Sequence, residues 1–444
     1  MAETSNQNSS KDNDPSYFVK KTQPKPASSG IGTFSSLRHP NFRLFFIGTV
    51  FTNAAQWIQQ VTLSWLVYHL TGSGTILGSI NLVRAVGSMG VIPFAGNIID
   101  QYNRKKLLLL VNGYLFVISF TLGISLVLGY QFLWILFVFS FLGGIAWTID
   151  YNLRQVTIFN IVPRADTPNA VAVIQTGWGF MRSLGPALGG FLILWFGPGG
   201  NFLVQAGAYI LISFTISHIT FPKTTTNDHR SSFLMAIRGG ITYVAHSRTT
   251  RAFTLMGFVL PLLIVPVYVI LPPIYAEDVF KGGPDTLGFL MSAVGVGSII
   301  GGLVSASLSR VERRGVVQIG ALFFLSLSLL AFAYCSVLWT ALIFLGLSGV
   351  FEMIFLTSNQ TLLQLSIPDN IRGMVTSVTN LNAALLPVGG VIAGLGADIF
   401  GGPQPVTIIL ASMVAMVSIL AFIFSSSIRG FRMSEAITSF ENSD

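Results

Sequence analysis

The 444-residue chain is 52% hydrophobic and only 9% charged, and its mean hydropathy is +0.68. Soluble domains carry about 25% charged residues, so this composition excludes a soluble globular protein and predicts an integral membrane protein. The formal net charge of +8 does not indicate a nucleic-acid partner, because most of the cations lie in breaks between apolar segments. There they set the orientation of the chain in the membrane and attract anionic lipid of the inner leaflet.

The chain begins with a polar tail. Residues 1–38 are rich in Ser, Asn, Lys and Pro, a composition that cannot bury a core and predicts a disordered segment. The first apolar run begins near Phe42 and is too long for the core of a cleaved signal peptide. We therefore expect a cytoplasmic tail, followed by a first span that serves as its own uncleaved insertion signal.

Six apolar segments follow, and each is close to the ~20 residues that a helix needs to cross the hydrocarbon layer. They cover approximately residues 41–69, 75–99, 107–128, 131–161, 170–196 and 201–221. Residues 39–221 are therefore predicted to form an N-terminal six-helix bundle.

A polar stretch, residues 222–251, separates this bundle from the rest of the chain. Its apolar residues recur at helical spacing beside basic ones, which predicts an amphipathic helix on the inner membrane surface. The residues in question are Phe233, Ile237, Ile241 and Val244 with Arg238 and His246.

Six further apolar segments predict a C-terminal bundle over residues 252–428, followed by a cytoplasmic tail over residues 429–444. The segments cover approximately residues 252–276, 285–308, 316–335, 337–366, 371–399 and 405–427. An even number of spans places both termini on one side, and the basic loops indicate that this side is the cytoplasm. Two sets of six spans joined by a long inner loop are typical of a duplicated transporter.

The break between the second and third spans carries a recognisable motif. Gly96 is followed four residues later by Asp100, and Arg104-Lys105 comes four residues after that. On charge alone, this could be a solvated loop on the cytoplasmic side. The spacing resembles the signature loop between helices 2 and 3 of major facilitator superfamily transporters, although Gln101 and Asn103 depart from the usual basic residue and glycine.

That resemblance implies an all-α integral membrane fold of twelve transmembrane helices in two pseudo-symmetric six-helix bundles. It implies that the bundles rock around a midplane site, that helices 1, 4, 7 and 10 line the central cavity, and that the loop acts as a gate. The gate residues in this sequence would be Gly96, Asp100, Arg104 and Lys105.

The fifth span contains Gly185-Pro186-Ala187-Leu188-Gly189-Gly190. Small residues four apart permit close helix packing, and the proline permits bending. The run resembles the end of the antiporter motif of proton-driven exporters, although Met181 occupies one of the upstream glycine positions. Gly185, Pro186, Gly189 and Gly190 are therefore added to the predicted gate.

A wider resemblance covers most of residues 36–215. The run from Ala170 to Gly190, the run from Leu63 to Ser73, and Arg84 are similar to the enterobactin-exporter and macrolide-efflux branch of the superfamily. This implies extrusion of a bulky, partly apolar small molecule, such as a siderophore or a drug. Together with the antiporter-like run, it leads us to expect proton-coupled efflux. An uptake symporter or facilitator of the same fold, and a non-transporting membrane receptor, are the alternatives.

Away from the ends of the predicted spans there are five acidic or basic residues, at depths where each charge is costly and suggests function. They are Arg84, Asp150, Arg154, Arg182 and Glu352. Three cations against two acids leave one positive charge, which would attract an anionic substrate or be met by carbonyls and water. Asp150 and Arg154, at i and i+4, predict a local ion pair or a second proton site. Glu352 has three readings: a proton carrier, an ion pair with an arginine of another helix, or a neutral buried acid.

Amide side chains add to the predicted cavity. Asn53, Gln56 and Gln60 lie near the middle of the first span, and Asn380 lies in the eleventh. Amides in hydrocarbon need partners, so helix-to-helix hydrogen bonding and substrate contact are both open for them. With Arg84, Arg154 and Arg182, they form the predicted substrate cavity.

No pattern indicates an enzyme. Gly295-x-Gly297 lies inside an apolar span with no strand before it, and there is no phosphate-binding Gly-Lys-Ser/Thr loop. The histidines lack metal-ligand spacing, and the one cysteine, Cys335, allows no internal disulfide or thiolate cluster. We expect no cofactor, no metal and no nucleic acid. The expected partners are a small-molecule substrate, protons and membrane lipid, and we expect a monomer in the cell membrane.

Overall fold

The computed structural model describes residues 35–221, 233–308, 311–368, 371–379 and 382–431. Within these ranges the chain is helical and contains no strand. The helices of the first half are α1 (Pro40–Thr71), α2 (Gly74–Gln101), α3 (Arg104–Val127), α4 (Leu133–Ile161) and α5 (Thr167–Ser217), and α6 (Phe233–His246) follows. Those of the second half are α7 (Arg248–Val259), α8 (Val265–Val269), α9 (Leu271–Ile274), α10 (Pro284–Ser307), α11 (Arg314–Ala333), α12 (Leu338–Leu365), α13 (Arg372–Thr379), α14 (Asn382–Ile399), α15 (Pro403–Phe424) and α16 (Ser426–Arg429).

The helices agree with the predicted spans once two features are taken into account. The fifth and sixth spans both lie within α5 and are two helical segments separated by non-helical backbone at Gly197 (φ 67°, ψ 173°). The seventh span, Arg248–Val279, is continuous but contains two π-helical stretches, Leu260–Ile264 and Tyr275–Val279. Its four prolines account for this irregularity, because proline lacks the N–H that a regular α-helix requires.

Ten helices of the described residues are long and apolar enough to cross a membrane. This number counts α5 once, and it does not include α1. The 32-residue α1 carries Asn53, Gln56, Gln59 and Gln60 in its middle turns, which lowers its hydropathy. Counting α5 as two passes and including α1 gives a number that fits the predicted twelve.

Large apolar side chains cover the outside of the helices. Aromatic residues are prominent at helix ends: Trp134 is 65% exposed at the start of α4, and Trp339 is 71% exposed at the start of α12. Such positions match the aromatic belts that membrane proteins place at the level of the lipid headgroups.

The linker segment forms a helix, α6, as predicted, and this helix packs against α13. A Cβ on Gly240 would overlap with the carbonyl oxygen of Met374 in α13. The backbones of α6 and α13 are therefore in direct contact, and the linker helix packs on the start of the eleventh span.

The two halves meet through glycines at one end of the molecule. A Cβ on Gly74 of α2 would lie 2.5 Å from the carbonyl oxygen of Gly394 in α14, and one on Gly78 would lie 2.8 Å from that of Gly390. A Cβ on Gly190 of α5 would overlap with the carbonyl oxygen of Pro284 in α10. We call this the closed end: it contains the end of α1 and the starts of α2 and α10.

Candidate functional site

The first buried charge pair lies within α4. Arg154 Nε donates to Asp150 Oδ2 over 2.7 Å, and Arg154 Nη1 donates to Thr49 Oγ1 of α1 over 3.2 Å. The side chains of Asp150 and Arg154 are 1% and 7% exposed. The local ion pair predicted from the i, i+4 spacing is present. Asp150 Oδ1 and Arg154 Nη2 have no hydrogen-bond partner in the described structure.

The second pair joins the two halves of the protein. Arg182 Nη2 of α5 donates to both carboxylate oxygens of Glu352 in α12, each over 2.9 Å. Ser298 Oγ of α10 lies 3.4 Å from Glu352 Oε2. Of the three readings of Glu352, the structure therefore shows the ion pair with an arginine of another helix. The partners are 170 residues apart in sequence, so their spacing did not identify Arg182 as the partner of Glu352.

This pair lies beside a tight backbone contact. A Cβ on Gly295 of α10 would overlap with Ser183 Cα of α5 and would lie 2.8 Å from the carbonyl oxygen of Arg182. Nearby, the backbone N–H of Ala187 donates to Ser292 Oγ over 3.0 Å. The Arg182–Glu352 pair thus forms where α5 and α10 are pressed together.

Arg84 has no acid beside it in the part of the chain that the structure describes. Its Nη1 donates to Gln60 Oε1 over 2.8 Å, and its Nη2 donates to Gln56 Oε1 over 3.2 Å. These two amides of α1 are neutral, so the surplus positive charge counted in the sequence remains with Arg84. A lone cation near the middle of a membrane costs at least ~2.5 kcal/mol on insertion scales.

The other amides of α1 mainly hold helices together. Gln205 Nε2 of α5 donates to Gln59 Oε1 over 2.8 Å, and Asn201 Nδ2 donates to Thr62 Oγ1 over 2.6 Å. Sequence reasoning missed Asn201 and Gln205, although both are polar residues inside an apolar span and could have been found on that ground. Asn53 differs, because its Nδ2 is buried without a partner in the described structure.

A cavity of about 140 Å³ opens among α1, α4 and α5. Asn53, Asp150 and Arg154 of the predicted cavity line it, together with Trp147 and Trp178, which were not predicted. Arg84, Arg182 and Glu352 are not part of its wall. The structure thus divides the predicted substrate residues between this cavity, the Arg84 cluster and the interbundle ion pair. Asn380 lies outside the described residues.

The loop between α2 and α3 makes contacts within the first half. Lys105 Nζ donates to the carbonyl oxygens of Ser217 and Ile219, at 2.6 and 2.9 Å, which fastens the start of α3 to the end of α5. Arg104 Nη1 approaches the carbonyl oxygen of Val156 at 3.5 Å. No described atom lies within 4 Å of a Cβ placed on Gly96, so the described helices do not approach closely at this glycine. The Asp100 side chain is outside the described part of the structure.

The glycine motif of the fifth span packs against both halves of the protein. A Cβ on Gly185 would lie 2.6 Å from Trp57 Cβ of α1, and one on Gly189 would lie 3.2 Å from Ile58 Cα. On the other side, Gly190 meets Pro284, and the carbonyl oxygen of Pro186 would lie 2.7 Å from a Cβ on Gly288 of α10. The small residues let α5 lie close to α1 and α10 at once.

Polar contacts reinforce the closed end, and sequence reasoning missed them. Asp398, at the end of α14, accepts hydrogen bonds from Ser73 Oγ (2.7 Å) and from the backbone N–H groups of Gly74 (2.7 Å) and Thr75 (2.9 Å). It therefore caps the N-terminus of α2 from the opposite half of the protein, where a carboxylate is favoured by the unpaired N–H groups and the helix dipole. Tyr68 also donates to Asp278.

Comparisons with known proteins agree with this architecture. The family model described as transmembrane secretion effector matches residues 31–440. The chain is 25% identical over 392 residues to the staphyloferrin A transporter of Staphylococcus aureus, covering 86% of this chain and 96% of the relative. It is 24% identical to the enterobactin exporter EntS of Salmonella choleraesuis, covering 81% and 86% respectively.

The solved structures give the same fold. A bacterial homologue of the human lysosomal transporter Spinster, in an inward-facing and unoccupied conformation, superposes with a TM-score of 0.70 at 12% identity. The match covers 88% of this chain and 98% of that one. Together with two helical halves and charged groups buried within and between them, these matches show that the chain belongs to the transmembrane secretion effector family, within the major facilitator superfamily of secondary transporters.

Proposed function

We propose that this protein is a proton-coupled exporter of a bulky amphipathic small molecule that works by alternating access. The observation that carries the proposal is the Arg182–Glu352 ion pair between the two halves. A carboxylate that joins two moving bodies can couple their motion to a proton, because neutralising it removes the attraction to its partner. A buried pair that loses one charge also leaves the other uncompensated, which makes the closed arrangement less stable.

The proposed orientation follows the predicted topology. With both termini in the cytoplasm, the closed end faces outward and the described conformation is inward-facing. The aqueous cavity of the resembled fold would then open toward the cytoplasm, and Arg104 and Asp100 would close it in the opposite state. The basic loops, which the positive-inside rule places in the cytoplasm, support this orientation.

In the proposed cycle, Glu352 is protonated in one state and paired with Arg182 in the other. In the outward-facing state, the separated halves leave Glu352 without Arg182, and it takes a proton from outside. The return to the inward-facing state brings Arg182 within reach of Glu352, which favours loss of that proton to the cytoplasm. Substrate binding then supplies the free energy that separates the halves again. Asp150 is the second candidate proton site, although Arg154 already holds it within one helix.

The substrate class rests on the relatives and on the cavity. The names of two relatives include staphyloferrin A and enterobactin, which favours a siderophore-like or drug-like cargo. The cavity combines the indoles of Trp147 and Trp178 with the charges of Asp150 and Arg154, and such a wall suits a molecule with both apolar and polar parts. We also propose that the transporter acts as a monomer within anionic lipid.

The proposal is tested in proteoliposomes that contain the purified full-length protein. Staphyloferrin A and enterobactin are added outside, and an interior-acid pH gradient is imposed. We expect uptake of at least one of them against its concentration gradient, because protons leaving the vesicle drive an antiporter. A protonophore should dissipate the pH gradient and abolish this uptake. Glu352→Gln should reduce gradient-driven uptake at least about tenfold, to the level seen without a gradient.

The direction of the gradient separates the alternatives. An uptake symporter would accumulate substrate under an exterior-acid gradient instead, and a facilitator would show no gradient dependence. Either result would contradict antiport. Gradient-driven uptake that survives in Glu352→Gln would reject Glu352 as the coupling residue.

A further inference from the structure

One face of α1 connects the cavity to Arg84. Thr49, Asn53, Gln56 and Gln60 are spaced by four, three and four residues, so they lie on one side of the helix. At one end of this row Thr49 accepts from Arg154, and at the other Gln56 and Gln60 accept from Arg84. A polar stripe thus runs from the wall of the cavity to a cation that has no counter-ion among the described residues.

Two hydrogen bonds orient the guanidinium of Arg84, but they do not use all of its N–H donors. Arginine has five N–H donors, and the two bonds to amide oxygens use one hydrogen on each terminal nitrogen. Gln60 is itself held, because its Nε2 donates to Ser64 Oγ over 3.1 Å. Arg84 as a whole is partly exposed, and a guanidinium fork matches the two oxygens of a carboxylate.

A second observation on the same stripe points to a ligand. Asn53 lines the cavity, is 6% exposed, and has an amide nitrogen without a hydrogen-bond partner in the described structure. A buried donor left unpaired is unfavourable, and a ligand oxygen would satisfy it. The stripe therefore offers donors at Asn53 and at Arg84, but no carboxylate from its own helix.

We propose that Arg84, held in place by Gln56 and Gln60, binds an anionic oxygen group of the substrate, with a carboxylate as the best fit. The inference rests on the proposed function as a transporter and specifies the class of cargo: an amphipathic anion whose apolar body lies toward Trp147 and Trp178. The substrate thereby supplies the counter-charge that the described residues do not provide at this position.

The test uses two fluorescent probes with the same aromatic body. Dansyl-phenylalanine carries a carboxylate, and dansyl-phenylalaninamide carries a neutral amide in its place. Binding is measured by dansyl fluorescence on the purified protein in detergent, without a pH gradient. We expect the carboxylate probe to bind at least about tenfold more tightly, as for a hydrogen bond to a charged group.

Three variants sharpen the result. Arg84→Gln should bring the two probes to equal affinity, and Arg84→Lys should keep part of the preference, because the charge remains but the fork is lost. Arg248→Gln removes a cation that is exposed at the start of α7 and should leave the preference intact. Without ligand, Arg84→Gln should melt at or above the wild-type temperature, since it removes an uncompensated charge.

Several outcomes would overturn the site. Equal binding of both probes to the wild type, failure of the carboxylate probe to bind, or an unchanged preference in Arg84→Gln would each do so. Clear destabilisation of unliganded Arg84→Gln would assign Arg84 to helix packing instead. Because no gradient is used, a carboxylate preference without proton-driven transport would reject the proposed coupling and keep the site. Proton-driven transport without a carboxylate preference would keep the proposed coupling and reject the site at Arg84.

Discussion

The side chains that carry charge inside the membrane fall into three arrangements with different consequences. Asp150 and Arg154 pair on one helix, Arg182 and Glu352 join the two halves, and Arg84 is held by two amides within the described structure. The first arrangement does not change when rigid bundles rock, and the second must. We therefore propose that Glu352 couples transport to protons and that Arg84 binds the charged group of the ligand.

This division predicts a different phenotype for Asp150. Asp150→Asn leaves Arg154 buried without its counter-ion, which is expected to lower the free energy of unfolding by about 3 kcal/mol. The double variant Asp150→Asn with Arg154→Gln should recover part of that loss. Thermal unfolding in detergent measures both.

Transport in the proteoliposomes provides the complementary measurement for this pair. We expect gradient-driven uptake to persist in the fraction of Asp150→Asn that stays folded. Loss of gradient dependence with intact stability would move the coupling role from Glu352 to Asp150.

Sequence reasoning found the ionisable residues but only one of their partners. An ion pair at i, i+4 is visible in a single helix, and the Asp150–Arg154 pair follows from that spacing. The partner of Glu352 lies on another helix. Asp398 lies at a helix end, where polar residues are common and do not indicate a specific contact. Both pairings depend on which helices contact each other. The spacing of apolar residues within one sequence does not contain that information.

At the scale of helices, glycines decide how closely the two halves can approach. Gly295 of α10 faces the backbone of α5. Among the described residues, a Cβ on Gly302 of the same helix would have only Met353 Cγ nearby, at 3.9 Å. The two positions share a helix and a residue type, so they provide a matched pair of sites for substitution.

Gly295→Ala is predicted to open the closed end. Its methyl group would overlap with the backbone at Ser183, and a backbone cannot move aside as a flexible side chain can. Ser292, which is 9% exposed in the same interface, is replaced by cysteine in a Cys335→Ala background. A membrane-impermeant maleimide added from outside should then label Ser292→Cys several-fold faster when Gly295→Ala is present.

The control is Gly302→Ala, which should leave the labelling rate near that of the parent protein. Equal labelling of the Gly295→Ala and Gly302→Ala variants would show that glycine contact does not hold this interface together.

Hydropathy and loop charge were enough to predict most helix boundaries. The break predicted between the fifth and sixth spans falls at Gly197, where the backbone leaves helical geometry. The packing of α6 on α13 and the π-helical stretches of the seventh span were not predicted. The first depends on a tertiary contact at Gly240, and the second on how four prolines are accommodated together.

At the scale of the whole molecule, the family motif predicted the fold but not its conformation. The superfamily architecture followed from the loop at Gly96–Lys106 and from the repetition of six spans, and the comparisons confirm it. Which end is closed is a property of contacts between distant helices: α2 with α14 and α5 with α10. We propose that this closure depends on the charge of Glu352.

The distance between the two halves at the closed end tests this link most directly. Tyr130 follows α3 and Tyr334 follows α11, and they are 55% and 74% exposed. Spin labels at Tyr130→Cys and Tyr334→Cys, with Cys335→Ala, report the separation by double electron–electron resonance in lipid nanodiscs. Labels at Tyr102→Cys and Phe424→Cys report the opposite end, and Cys335 is the only native cysteine to remove.

We predict that Glu352→Gln, which leaves Arg182 without its counter-ion, moves the Tyr130–Tyr334 distribution to distances several ångströms longer than in the wild type. The Tyr102–Phe424 distances should shorten in step. A Glu352→Gln protein that stays closed like the wild type would contradict the central claim that the charge of this carboxylate holds the two halves together.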